Sequence, residues 1–328
     1  MTVLVCGGAG YIGSHMVAAL IEQGHQVVVI DNLEVGHKAS VWPGVKFYHG
    51  DIRDSEFLNQ VFSNHKINAV ANFAAYTQVK ESMEKPAKYY SNNVNGMIVL
   101  LDQMRAHGVK KIVFSSSASV YGLQKITPIT EEMPTNPISP YAETKLAAEK
   151  ILKWYDNAYG LKYVALRYFN VAGEHESAKI GEDHNPESHL IPICIHAAQG
   201  KIPVFEIYGD DYNTPDGTNI RDYVHVMDLV DAHILALEKM GDTSAIYNLG
   251  SQKGFSNKEI VAAVKSVTGV DFPVKTGPRR PGDPDEAIAS SEKIRRELGW
   301  NPTRTTIETI VSTAWAWHNA RPDGYEDR

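Results

Sequence analysis

The chain is poor in cysteine: among 328 residues only Cys6 and Cys194 carry a thiol. Two cysteines cannot build a disulfide framework, and neither has partners at the spacing of a structural zinc site. No metal is therefore expected, and both read as small apolar core residues. Long apolar runs are missing too, since none approaches the roughly 20 residues that cross a bilayer. The first apolar segment begins almost at Met1, which leaves no room for a leader, so a cytoplasmic protein is expected. Basic charge is not in excess either. With 32 Lys and Arg against 39 Asp and Glu, the net charge is −7, no footprint for nucleic acid or an anionic membrane. What remains is ordinary globular composition, 43% hydrophobic, enough for one large or two modest domains.

Glycine is plentiful where the first apolar run ends. Val3-Leu4-Val5-Cys6 leads straight into Gly7-Gly8-Ala9-Gly10-Tyr11-Ile12-Gly13-Ser14-His15, and Met16 to Gln23 reads as a helix stopped by Gly24. Glycines at 7, 10 and 13 permit a tight turn, close backbone approach to a pyrophosphate, and tight helix-to-strand packing. The helix start adds free N–H groups and a positive dipole end. With a second strand over Gln26 to Ile30, the pattern points to a dinucleotide. Asp31 closes that strand eighteen residues past Gly13, where a carboxylate accepts from an adenosine ribose and repels a 2′-phosphate. The cofactor expected is NAD.

Later strand ends fall at the same sheet edge. After a loop over 32–44, Val45 to His49 is a short strand before Gly50-Asp51-Ile52. Asp51 and Ile52 either flank the adenine, or Asp51 caps the helix expected over Asp54 to Asn64. Lys66 to Asn72 ends at Phe73-Ala74-Ala75, small residues that let a cofactor approach. Pro86 opens an amphipathic segment to about His107 holding Asn92, Asn93 and Asn95, poor helix formers that suggest polar duties at a substrate-side loop or as caps. Lys110 to Phe114 delivers Ser115-Ser116-Ser117. Pro137 and Pro140 then lead into Tyr141-Ala142-Glu143-Thr144-Lys145 and a helix to about Tyr159, in which Tyr141 and Lys145 share one face. An ammonium close by and a positively charged nicotinamide both favour the phenolate, so Tyr141 is the candidate general base.

Alternating strands and helices define an α/β chain: a doubly wound parallel (Rossmann) sheet with a smaller α+β substrate lobe. The NAD-binding domain is expected over 1–172 with a return segment near 222–250, and the lobe over 173–328. In the lobe, Gly173 to Glu187 and Gly209 to Thr218 read as loops, Leu190 to Gln199 and Val226 to Met240 as helices, and Ala245 to Leu249 as a strand.

These motifs carry a family resemblance. The Gly7, Gly10, Gly13 spacing, Asp31-Asn32, the serine run before Val120-Tyr121-Gly122, the Tyr141/Lys145 pair and Arg167-Tyr168-Phe169-Asn170 resemble the extended short-chain dehydrogenase/reductase family over essentially the whole chain. The second half narrows the match. Gly181-Glu182-Asp183, Gly209-Asp210-Asp211-Tyr212, Arg221-Asp222-Tyr223-Val224-His225 and Tyr247-Asn248-Leu249-Gly250 are similar to members that invert C4 of UDP-hexoses. The resemblance implies an NAD-dependent isomerase of UDP-glucose and UDP-galactose, working through a transient 4-keto sugar in galactose metabolism, as a homodimer. It implies Tyr141, Lys145 and Ser117 as the catalytic set. Cofactor contacts are implied for Gly7, Gly10, Tyr11, Ile12, Gly13, Asp31, Asn32, Asp51, Ile52, Phe73, Ala74, Ala75, Asn92, Ser115, Tyr141, Lys145 and Tyr168. Substrate contacts are implied for Asn95, Ser117, Tyr141, Asn170, His189, Leu190, Tyr208, Arg221, Arg280 and Asp283. Two arginines lie between Pro278 and Pro281, and the sequence leaves either Arg279 or Arg280 as the phosphate ligand.

Departures from the family pattern carry their own expectations. One branch has a lysine near the diphosphate where this chain has Thr77, and Lys80 is the expected substitute. Ala287 stands where hexose-restricted members have a bulky tyrosine, so N-acetylated UDP-hexosamines are expected to fit. Related 4,6-dehydratases resemble one another in an Asp-Glu pair before Val-Tyr-Gly, a position held here by Ala118 and Ser119, neither of which can transfer that proton. A 4-epimerase of a UDP-pentose or UDP-uronic acid, and a non-catalytic NAD-sensing module, are the readings left open.

Overall fold

The first strand, β1 (Thr2–Cys6), is apolar throughout because both of its faces are covered. Val3 and Val5 join a core with Met16, Val17 and Leu20 of α1 (Tyr11–Glu22), while Leu4 and Cys6 join the core on the opposite side. The computed structural model describes residues 1–280 and 282–326, and Pro281 lies outside them. The chain continues through β2 (Gln26–Asp31), β3 (Lys46–His49), α2 (Ser55–Asn64), β4 (Ala69–Asn72), α3 (Val79–Glu84), α4 (Pro86–Tyr89), α5 (Gly96–Ala106), β5 (Lys111–Ser115), α6 (Pro140–Tyr159) and β6 (Lys162–Tyr168). It then leaves for a second lobe with β7 (Asn170–Ala172), α7 (Leu190–Ala198), β8 (Phe205–Tyr208) and β9 (Ile220–His225). It comes back with α8 (Val226–Lys239) and β10 (Ala245–Leu249). The second lobe is resumed with β11 (Gly254–Ser256), α9 (Asn257–Thr268), β12 (Val274–Gly277) and β13 (Glu286–Ala287), before α10 (Glu292–Leu298) and α11 (Ile307–Ala320).

The main sheet has seven parallel strands in the order β10-β6-β5-β4-β1-β2-β3. Strand order reverses between β1 and β4, and in open sheets of this kind ligands bind beyond the carboxyl ends of the strands at that point. One face is covered by α1 and α8, with Ile294 of α10 and Trp300 completing the core; the indole of Trp300 donates to the Asp228 carbonyl at 2.8 Å. Leu58 and Val61 of α2, Leu100 and Leu101 of α5, and Leu152 of α6 cover the other. In the second lobe β9 pairs antiparallel with β11 and parallel with β13 and β7, while β8 and β12 form a separate pair. Ile191, Ile195, Ile260, Val264, Ile310 and Val311 pack α7, α9 and α11 into one core.

Several boundaries differ from the sequence reading. Helix α1 starts at Tyr11, five residues before the expected Met16, because packing against β1 overrides the weak helix propensity of Gly13. The segment after Pro86 is helical throughout but widens into a π-helical stretch at Tyr90–Asn95, where the three asparagines lie. The cap of α2 is Asp54, whose carboxylate accepts from the N–H groups of Glu56 and Phe57, and Asp51 has no part in it. Cys6 and Cys194 are buried free thiols.

Candidate active site

The turn after β1 has glycine where backbone meets backbone. At Gly7, with φ of +76°, a β-carbon would lie 2.7 Å from the Ala74 nitrogen at the end of β4; at Gly13 one would lie 2.0 Å from the Gly7 carbonyl oxygen. Gly10 has no such need, with 3.4 Å to its nearest neighbour. The start of α1 thus opens unobstructed onto a cavity of about 910 Å³ that runs from here into the second lobe. Its first-turn N–H groups have no intrahelical partner, which fits a pyrophosphate. Asp31 lines the same cavity, held by the N–H of Ala9 at 2.9 Å and of Leu33 at 2.8 Å, and burial raises its carboxyl above the usual range. Asp51 and Ile52 line it too, so of the two sequence readings for Asp51 only the helix cap is excluded. Arg53 donates to both Asp51 oxygens at 2.9 and 2.6 Å and Asn32 donates at 3.1 Å, which holds its carboxyl down at about 2.

Strand β5 ends on the serines, and each serves a different partner. Ser115 meets the hydroxyl of Tyr168 and its carbonyl accepts from Lys145 Nζ at 2.6 Å; Ser116 donates to Glu149 at 2.5 Å; Ser117 lines the cavity. Helix α6, capped by Ser139 with Pro140 at its first position, brings Tyr141 and Lys145 to that edge. Lys145 Nζ lies 5.9 Å from the Tyr141 ring centre, and Ser117 acts on the phenol from the same cavity wall. Burial lowers Lys145 to about 7 against the pull of Glu149. It also raises Tyr141, an effect that Ser117 only partly offsets. In the chain by itself desolvation dominates, so the expected pull toward the phenolate rests on the nicotinamide charge as well as on Lys145. A further positive charge beside the ring is needed to bring the phenol into range as a base.

Behind this edge lies a network that the sequence reading missed. Arg167 on β6 forks onto Glu149 at 2.9 and 2.6 Å and reaches the Tyr121 hydroxyl at 2.9 Å, and Tyr121 donates to Asn248 on β10 at 2.7 Å. Arg167 and Glu149 are 4% and 3% exposed, so the pair is desolvated and rigid. The only local signal was Glu149, four residues past Lys145 on the same face of α6. Asn93, one of the three asparagines expected to have polar duties at a loop or as caps, does position a loop. Its amide ties both backbone groups of Tyr76 to the Thr144 hydroxyl, at 3.0 to 3.1 Å.

At the far end, the Arg280 guanidinium lies 4.1 Å from the centre of the Tyr208 ring, and both line the cavity. Arg279 instead stacks on Tyr212 at 3.9 Å and pairs with Asp285 at 2.7 Å, outside that cavity. Of the two arginines, Arg280 is the one that faces this cavity. Asp283 is held by Arg221 and by Asn219 at 2.7 Å. Ala287, Asn170, His189 and Leu190 complete this wall.

Every residue implied above for cofactor or substrate lines this one cavity, with a single exception. Asn95 is exposed and outside it, because the widened π-turn breaks the register that would place it on the face of Asn92. Lys80, expected to replace the lysine at Thr77, is also exposed on α3 and outside the cavity, whereas Thr77 lines it.

A glycine cradle at the switch point, a serine-rich strand end and a Tyr/Lys pair one helical turn apart define a short-chain dehydrogenase/reductase. Comparison with known proteins agrees. A family profile described as GDP-mannose 4,6 dehydratase matches residues 4–313. The UDP-glucose 4-epimerase of Streptococcus mutans is 56% identical over 332 residues, all of both chains. A crystal structure of the enzyme of that name from Brucella ovis, in complex with NAD, is 46% identical with a TM-score of 0.93, over 96% of this chain and 97% of that one. Another, from Bifidobacterium longum in complex with NAD+ and UDP, is 39% identical with a TM-score of 0.93, over 99% and 100%. The chain belongs to the extended short-chain dehydrogenase/reductase family and groups there with the UDP-glucose 4-epimerases.

Proposed function

We propose that the chain is an NAD-dependent isomerase that interconverts UDP-glucose and UDP-galactose by inverting C4 through a transient 4-keto sugar. The observation that carries this reading is that Ser117, Tyr141 and Lys145 open onto the same cavity as Tyr208, Arg221 and Arg280. One end is suited to proton transfer at a hydroxyl, the other to a nucleoside diphosphate. NAD, when bound, supplies the hydride acceptor and donor at C4 and the positive charge beside Tyr141. Tyr141 takes the O4 proton and returns it, Ser117 holds O4, and Lys145 supports the phenolate and the ribose next to it. Arg280 and Arg221 orient the diphosphate and Tyr208 lies along the uracil. Dehydration is disfavoured: Ala118 and Ser119 line the site where an acid/base pair would be required.

Finer features follow. A methyl group at Ala287, on the cavity wall, leaves room for an N-acetyl group, so UDP-hexosamines are accepted as well. Trp154 and Tyr159 on α6 and Ile98 on α5 are exposed apolar side chains, which supports a homodimer through these two helices. No described helix is long and apolar enough to cross a membrane. A cytoplasmic enzyme of galactose metabolism is the setting we infer. The test is to give the purified protein UDP-galactose without added cofactor, then measure UDP-glucose formed and NAD released on denaturation. Absence of turnover with NAD retained would favour a sensing module instead.

A further inference from the structure

We infer a second site, for a divalent transition ion with the ligand preferences of zinc, in the loop that leads into α7. It goes beyond the reaction proposed above and shares with that site one wall residue, His189. Within eight residues the chain places Glu182, His184, Glu187 and His189, and one ligand atom from each lies within 4.8 Å of the others. Both imidazole Nδ1 atoms converge on the same carboxylate oxygen, Oε1 of Glu182, that of His184 at 3.1 Å and that of His189 in direct contact. Glu187 closes the set. Its Oε2 is 3.9 Å from Nδ1 of His184, and its Oε1 is 3.7 Å from Nδ1 of His189.

Two readings of the cluster differ in what Oε2 of Glu187 does, since its Oε1 already accepts from the Ser188 and His189 N–H groups. In a plain ion-pair cluster Glu182 serves both rings, yet Glu187 stands too far from either ring for a hydrogen bond. Around a tetrahedral ion bound at 2.0–2.1 Å, ligand atoms stand about 3.3 Å apart. The 3.1 Å separation of His184 from Glu182 is close to that spacing. The 3.7 and 3.9 Å separations run to different oxygens of Glu187, so binding requires that carboxylate to turn one oxygen inward and Glu182 and His189 to part. Two imidazole nitrogens with two carboxylate oxygens are a donor set that zinc accepts.

The surroundings hold the ligands in place. Glu182 is 1% exposed and its N–H donates to Oε1 of Glu174 at 2.9 Å; Oε1 of Glu187 accepts from the N–H groups of Ser188 and His189 at 2.7 and 2.8 Å. His184 and His189 border the main cavity, which gives an ion a way in. The role follows from position. The ring of His184 meets Tyr11 edge-on at 6.4 Å, and His189 is the residue immediately before α7. An ion here braces the start of α1 against the start of α7, across the two lobes. Cysteine spacing gave no hint of it, because all four ligands are histidine and glutamate from one irregular loop.

To test this, the purified protein with its nucleotide is stripped by a chelator and titrated with Zn2+ against a chromophoric competitor. It is then titrated with Co2+, whose visible absorption reports its coordination. We expect one equivalent per chain, a tetrahedral cobalt spectrum, and affinity reduced by at least about 100-fold in both His184→Gln and Glu187→Gln. Circular dichroism and retained nucleotide verify that the variants fold. Undiminished uptake by folded variants overturns the site. If neither variant folds, the wild type decides alone: substoichiometric uptake or a six-coordinate cobalt spectrum overturns it.

Discussion

The two ends of the cavity are built on opposite plans. At the catalytic end Ser115, Ser117, Tyr141, Lys145 and Tyr168 sit on strand ends or just past them and on one long helix, backed by the buried Arg167–Glu149 pair. At the nucleotide end Tyr208, Arg221, Arg280 and Asp283 come from short strands and the loop before β13, partly exposed and paired or stacked with one another. Proton transfer tolerates little displacement, so it is held on rigid elements; recognition of a long flexible ligand tolerates adjustment and is left to loops. Disturbing the first end should therefore abolish the reaction or the fold, and disturbing the second should shift affinity and choice of substrate.

The sharpest way to break this comparison is Tyr141→Phe. Turnover of UDP-galactose should fall by about 10²- to 10⁴-fold with NAD retention nearly unchanged, and full activity would remove the assigned base. Next comes Glu149→Ala, which leaves a buried guanidinium unpaired. Unfolding in urea should show a loss of about 3–5 kcal/mol, and the double change Glu149→Leu with Arg167→Met should lose less. At the other end, Arg280→Ala should raise KM by about 10- to 100-fold with kcat little changed, as expected for a lost charge-assisted contact. A larger effect from Arg279→Ala would reassign the phosphate ligand. Ala287→Tyr should depress kcat/KM for UDP-N-acetylglucosamine relative to UDP-glucose by at least about 10-fold. Smallest is Lys80→Ala: on an exposed helix outside the cavity, it should change kcat/KM by less than about 2-fold.

What was readable in the sequence is what neighbours along the chain decide. The glycine turn, the strand that feeds it and the Tyr141/Lys145 spacing are local patterns, and the parallel sheet follows from their alternation with helices. The return of β10 to the main sheet was also legible, from an apolar strand flanked by helices. What escaped were contacts between distant segments. Arg167 and Glu149 are 18 residues apart and Arg221 and Asp283 are 62 apart, so no window of sequence shows them meeting. The π-helical turn escaped for another reason: one shifted backbone register leaves composition unchanged while moving Asn95 out of the cavity. The burial that raises Tyr141 was not legible either, because proximity to an amine is visible in spacing whereas desolvation is not.

The interleaved path of the chain has a last consequence. Because β10 pads the outer edge of the sheet beside β6, and Trp300 and α10 fill its core after the second lobe is nearly finished, no single cut yields either half whole. A fragment ending at Ala172 would expose β6 as a raw edge ready to pair with another chain. Such an architecture resists being swapped as a cassette, and changes of sugar must arise by editing side chains in place.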